Sequence, residues 1–119
     1  MSARLALLLL GVLLSVPMPA QEARFENLQI VPEDIQPTQL LQLMKVVTRA
    51  LGTNCQACHE SARGDFASDA LPLKARARAM MQMEAARRPA LDWGSPPETL
   101  CMECHNGELR PRANQSGKG

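Results

Sequence analysis

The stretch NCQACHE, Asn54 to Glu60, returns near the C-terminus as LCMECHN, Leu100 to Asn106. Each contains Cys-x-x-Cys-His, and together they use all four cysteines and both histidines of the 119-residue chain. A Cys-x-x-Cys pair alone suits thiol redox chemistry, and an even cysteine count in an exported chain suits disulfides. Neither explains why each histidine follows directly on a second cysteine. A covalent haem site does. Two thiols two residues apart on a helical turn can each form a thioether to a vinyl group on one haem edge, and the next side chain then turns its imidazole to the iron. Zinc also takes Cys and His, but 42 residues separate Cys58 from Cys101, a longer gap than zinc fingers use. The expected cofactors are two haem c groups with their iron. Cys55 and Cys58 would attach the first and Cys101 and Cys104 the second, with His59 and His105 as metal ligands.

Such chemistry fits an exported protein, and the N-terminus reads as an export signal. Arg4 precedes the apolar run Leu5 to Leu14, which is too short for the ~20 residues a membrane span needs. Ser15, Pro17, Pro19 and Ala20 follow as the small-residue end of a secretory signal, with cleavage after Ala20. A retained anchor is the alternative. The expected organisation is a cleaved signal over 1–20, a haem-binding domain over 21–111 and a flexible tail over 112–119, in the bacterial periplasm. Losing residues 1–20 removes Arg4 from the 13 Lys+Arg and leaves 12 against 12 Asp+Glu. A formally neutral chain has no basic excess to neutralise phosphates, so nucleic acid is excluded as a partner.

The chain has no tyrosine, and its aromatic mass is Phe25, Phe66 and Trp93. A domain this small normally leans on several large aromatic side chains. A planar apolar cofactor would fill the space they leave, with Trp93 packed against it or closing a loop.

With both histidines used, a sixth iron ligand must come from methionine, lysine, the amino terminus or nothing. Met44, Met80, Met81, Met83 and Met102 are the thioethers of the mature chain, and His/Met ligation raises a haem potential. Met44 lies in QPTQLLQLMKVVTRALG, where Gln36 or Thr38 can cap a helix, Leu40, Met44, Val47 and Leu51 share a face, and Gly52 stops it. The reversal at Gly52 returns the chain to Cys55, so the helix can lie over one haem face while His59 approaches the other. Met44 is therefore the expected ligand of the first iron. Leu71 to Arg88 predicts a second helix, started by Ser68 or Asp69, with Pro72 in its first turn and Pro89 ending it. Ser95 before Pro96 would cap a short turn entering Cys101. Met80, Met81 and Met83 lie within one turn, so at most one can reach the second iron, and spacing does not choose among them. Met102, between the two cysteines, is on the wrong side of the ring. Lys74, Arg76, Arg78, Arg87 and Arg88 make this helix basic. Such a run is usually a solvated face, but one of its members can meet a haem propionate.

The segments FENLQIVPEDIQPTQLLQLMKVVTRALGTNCQACH, FASDALPLKARARAMMQMEAARR and LCMECHNGELRP, between Phe25 and Pro111, together resemble the photosynthetic reaction-centre cytochrome c subunit family. The likeness is to a short, two-haem version of it. Its marks are the NLQ-V lead-in, a methionine 11 residues before the first attachment cysteine, ASD ahead of a basic helix with Met-x-x-Met, and a closing Cys-x-x-Cys-His followed by Gly and Pro. In that family the helix before each attachment site donates the distal methionine. The resemblance implies Met44 for the first haem and Met80 for the second, with the extra Met81 a departure from the pattern. Longer members place a further haem-ligating histidine in the loop before the second site. LDWGSPPETL has none, which fits two haems.

These residues predict a mainly α fold: a small c-type cytochrome domain of two helix–Cys-x-x-Cys-His units joined by short loops. The expected function is electron transport between other redox proteins, among them a membrane-associated electron-transfer complex, with no enzymatic role. The alternative is a haem enzyme or sensor, peroxidase-like, with one open iron site. A carrier is favoured because no distal histidine and no placed acid or base would assist peroxide cleavage.

Overall fold

The computed structural model describes residues 24–111 and, ahead of them, Pro17 alone. The expected signal, Pro17 apart, and the expected tail lie outside the described residues. The described part is mainly helical: α1 spans Pro37–Leu51, α2 Pro72–Arg87 and α3 Met102–His105, with 3-10 turns at Cys55–Ala57 and Ser61–Arg63. Among the described residues there is no strand, only one isolated bridge between Glu60 and Asp65. No described helix is long and apolar enough to cross a membrane.

α1 begins and ends where its sequence says. Pro37 sits in the first turn with its φ already helical, and the Gln36 N–H donates to Gln39 Oε1 at 3.0 Å. At the other end Gly52 turns left-handed at φ +60°. Its N–H donates to Arg49 O at 3.3 Å and that of Thr53 to Thr48 O at 3.0 Å, the paired bonds that close a helix through glycine. The apolar arc of α1 is wide and serves two surfaces. Leu43, Val46 and Ala50 are buried and pack with Val31, Ile35, Trp93 and Leu100 as the core. Leu43, Val46 and Leu100 are fully buried and stabilise by about 1.5–3 kcal/mol each. The adjacent stripe of Leu40, Met44, Val47 and Leu51 instead lines a cavity. Trp93 belongs to the core.

α2 starts later than Ser68 or Asp69. Leu71 is its N-cap residue, without a side-chain cap, and Pro72 is in its first turn. Ser68 and Asp69 are drawn elsewhere. Ser68 Oγ donates to Glu60 Oε2 at 2.5 Å, and Asp69 Oδ1 accepts from Asn27 Nδ2 at 2.9 Å and Arg78 Nη1 at 2.8 Å and pairs with Lys74 Nζ at 3.1 Å. The helix has no clean apolar stripe, and its two buried residues are Lys74 and Glu84. Ser95 is not the cap of the turn before Cys101: that turn closes through Leu100 N–H to Pro97 O and Met102 N–H to Thr99 O.

Asp69 ties the segment before α1 to the loop before α2. Its bonds from Asn27, Lys74 and Arg78 hold its carboxyl down at about 2, below an ordinary 3.8. This contribution to stability is present above 3.8 and is lost as pH falls through about 2. Melting temperature is expected to drop more steeply between those pH values in the wild type than in Asp69→Asn. Parallel curves would mean that the clamp holds no energy.

Candidate functional site: two matched Cys-x-x-Cys-His turns

The two pentapeptides share a hydrogen-bond pattern on different backbones: the first is a 3-10 turn, Cys55–Ala57, and the second enters α3 through a left-handed Cys101 at φ +64°. In the first, Asn54 Oδ1 accepts from Gln56 N at 3.1 Å and opens the 3-10 turn. The N–H groups of Cys58 and His59 donate to Cys55 O at 3.3 and 2.9 Å. In the second, the N–H groups of Cys104 and His105 donate to Cys101 O at 3.3 and 3.0 Å. Each pentapeptide places two thiols and an imidazole at i, i+3 and i+4, spacing that gathers side chains on one side of a helical turn in the first, whereas in the second Cys101 precedes α3 with left-handed backbone. All four cysteines are free thiols. Burial pushes the Cys58 thiol up, and burial followed by the Glu84 carboxylate does the same for Cys101. Thiols shifted upward are weak spontaneous nucleophiles at neutral pH.

The imidazoles are matched as well. His59 Nδ1 lies 3.0 Å from Phe66 O, and His105 Nδ1 lies 2.9 Å from Glu108 O. A carbonyl can only accept, so Nδ1 is the protonated nitrogen of each neutral ring and Nε2 carries the lone pair. A backbone acceptor at one ring nitrogen is the arrangement that fixes a metal-binding imidazole at the other. His59 is held below its ordinary pKa first by burial and then by Lys74 and Arg78, against the Phe66 bond, which raises it.

Around the first turn lies an apolar cavity of about 560 Å³, within the ~300–1,000 Å³ range of cofactor sites. Cys55, Cys58, His59 and Met44 all line it. So do Phe25, Leu28 and Ile30 from the segment before α1, and Lys74, Ala77, Arg78 and Met81 from α2. Phe66 stands at its edge, half exposed, with its ring 5.4 Å from that of His59.

No protein-family model, curated protein or solved structure matches the chain. The site therefore stands on its geometry.

The second turn is docked onto α1. Gly107 N–H donates to Ala50 O at 2.8 Å, one turn from the first pentapeptide. From the other side Glu103, between the two cysteines, meets Arg88 at 2.9 Å and Arg87 at 3.7 Å. Both arginines also pair with buried Glu84, at 3.3 and 2.6 Å. Met80, expected at the second iron, lies one turn before Glu84 on α2, is 47 % exposed and does not line the first cavity. Met83 is exposed, and Met81 faces the first cavity and the core. Of the five basic α2 residues, Lys74 and Arg78 line the cavity, Arg87 and Arg88 are in the Glu84–Glu103 network, and Arg76 is exposed. Among the described residues, no group of three or more His, Cys, Asp or Glu side chains converges on a metal-sized site. Sequence reasoning did not single out Phe66, whose backbone carbonyl carries no side-chain signature.

Proposed function

We propose that the chain is an exported di-haem c-type cytochrome that carries electrons between redox partners, and that it is a short relative of the reaction-centre cytochrome c subunits. Cys55 and Cys58 would attach one haem and Cys101 and Cys104 the other, with His59 and His105 on the irons. Met44 would complete the first iron and Met80 the second. The observation that carries this reading is the pair of matched turns, each with Nδ1 on a backbone carbonyl and Nε2 left to donate. The first cavity adds Met44 to the same wall set as His59 and both thiols.

When bound, each haem would supply one-electron ferrous–ferric chemistry. The chain's own residues do the rest. The thiols would anchor each haem covalently, which a domain this small needs because it has little side-chain mass to grip a cofactor. The carbonyls of Phe66 and Glu108 fix ring orientation and tautomer. Leu40, Val47, Leu28 and Ile30 keep water from the first site, which with thioether ligation favours the reduced form.

The test is the mass and visible spectrum of mature protein made in a host with cytochrome c maturation machinery. Two added haem masses, with low-spin bands and a weak methionine–iron charge-transfer band at the red end of the oxidised spectrum, are the expected result. One haem or none would refute the architecture. Two haems with one high-spin iron would refute the carrier in favour of an enzyme or sensor at the second site, where Met80 is exposed.

A further inference from the structure

We propose that Lys74 is a positioning residue for His59: its ammonium group holds the loop that supplies the imidazole's acceptor and draws charge from that acceptor, raising the potential of the first haem above that of the second. The inference rests on the haem reading above and deepens it.

Lys74 is 7 % exposed, unusual for lysine unless it is paired. Its Nζ donates to three successive carbonyls, Phe66 O at 3.0 Å, Ala67 O at 2.8 Å and Ser68 O at 2.7 Å, and pairs with Asp69 at 3.1 Å. Phe66 O is also the atom that accepts from His59 Nδ1, at 3.0 Å. One carbonyl oxygen thus serves two donors, one for each lone pair. An ammonium on one lone pair withdraws density from the oxygen and makes it a poorer acceptor on the other. The imidazole then gains less anionic character and donates less to ferric iron, so the ferrous state is favoured.

Arg24, Lys74 and Arg78 line the cavity together with Glu26 and Asp65, and Lys74 and Arg78 share the Asp69 carboxylate, so the bias comes from the position of the Lys74 ammonium on Phe66 O and not from a net charge.

The test is a spectroscopic redox titration of the haem-loaded protein and two variants. Lys74→Gln keeps an N–H donor and removes the charge. The higher of the two steps is expected to fall, with about a tenfold lower ferrous-to-ferric ratio at fixed poise, or about 59 mV for one electron, while the other step stays in place. Asp69→Asn removes the counter-charge and is expected to raise the same step. Its opposite sign decides the matter if Lys74→Gln fails to mature. A merely structural lysine would shift the melting temperature and leave the higher step unmoved in both variants, which would overturn the proposal. Both steps moving together would also overturn it. A wild type without haem would bring down the proposed function and this inference with it. A wild type with two haems and an immobile higher step would bring down this inference alone.

Discussion

Gly52→Ala is expected to destabilise the domain by on the order of 3 kcal/mol or more and to loosen both Cys-x-x-Cys-His turns together. Two costs add at this residue. Its φ of +60° is left-handed, where a Cβ costs about 1–2 kcal/mol. A Cβ there would also stand 1.9 Å from Gly107 O and 2.8 Å from Gly107 C. Those are backbone atoms that cannot rotate away, and relieving such overpacking costs typically ~1–3 kcal/mol. Relief requires the end of α1 to part from the exit of the second turn, and the 2.8 Å bond from Gly107 N–H to Ala50 O then breaks. Against a total of ~5–15 kcal/mol for a typical domain, the loss is large. Gly64→Ala is the control. Gly64 is also left-handed, at φ +71°, but nothing lies within 4 Å of its added Cβ, so it should lose only the conformational ~1–2 kcal/mol. Urea unfolding of the loaded protein, followed by far-UV circular dichroism, reads both variants. Equal losses would show that the close approach at Gly107 contributes nothing.

In the proposed di-haem protein, Met44→Ala is expected to remove about half of the methionine–iron charge-transfer absorption and to lower one potential by on the order of 0.1 V, within the ~0.8 V that axial ligation spans. The informative comparison is Met81, because both thioethers line the same cavity and both are partly buried against the core. Truncating either should cost roughly 2 kcal/mol, the low end for a core methionine, so stability does not tell them apart. The band does. Met81→Ala should keep it whole, and Met80→Ala should remove the other half. If Met81→Ala removed it and Met44→Ala did not, α2 rather than α1 would ligate the first iron, and the one-helix-one-haem plan would fail.

Much of this architecture is legible from short-range signals. Gln36, Pro37 and Gly52 delimit α1, and each acts within a few residues of itself. The arc of α1 was legible only as a whole: Leu40, Met44, Val47 and Leu51 differ from Leu43, Val46 and Ala50 by one residue of register, and both sets are apolar. Which set meets protein and which meets a cavity depends on the neighbours. The start of α2 differs from the sequence expectation for a related reason. Ser68 and Asp69 have the chemistry of N-caps, but Asp69 is engaged by Asn27, 42 residues away. Lys74 was hidden among basic neighbours. Its burial is set by three backbone carbonyls, which carry no residue identity, and a run of Lys and Arg on one helix reads as solvated. The two pentapeptides are the most legible feature because the same side chains recur at the same spacing.

The acceptors for His59 and His105 come from loops of different length, seven residues on at Phe66 and three residues on at Glu108. In both cases the acceptor is main chain. A missense change at 66 or 108 replaces a side chain and leaves the carbonyl in place, so the protonation pattern of each imidazole is encoded in the path of a loop. Mutation can erase a cysteine, a histidine or a methionine here in one step. It reaches these two hydrogen bonds only by rerouting the chain, and an insertion between His59 and Phe66 is the kind of change that would do so.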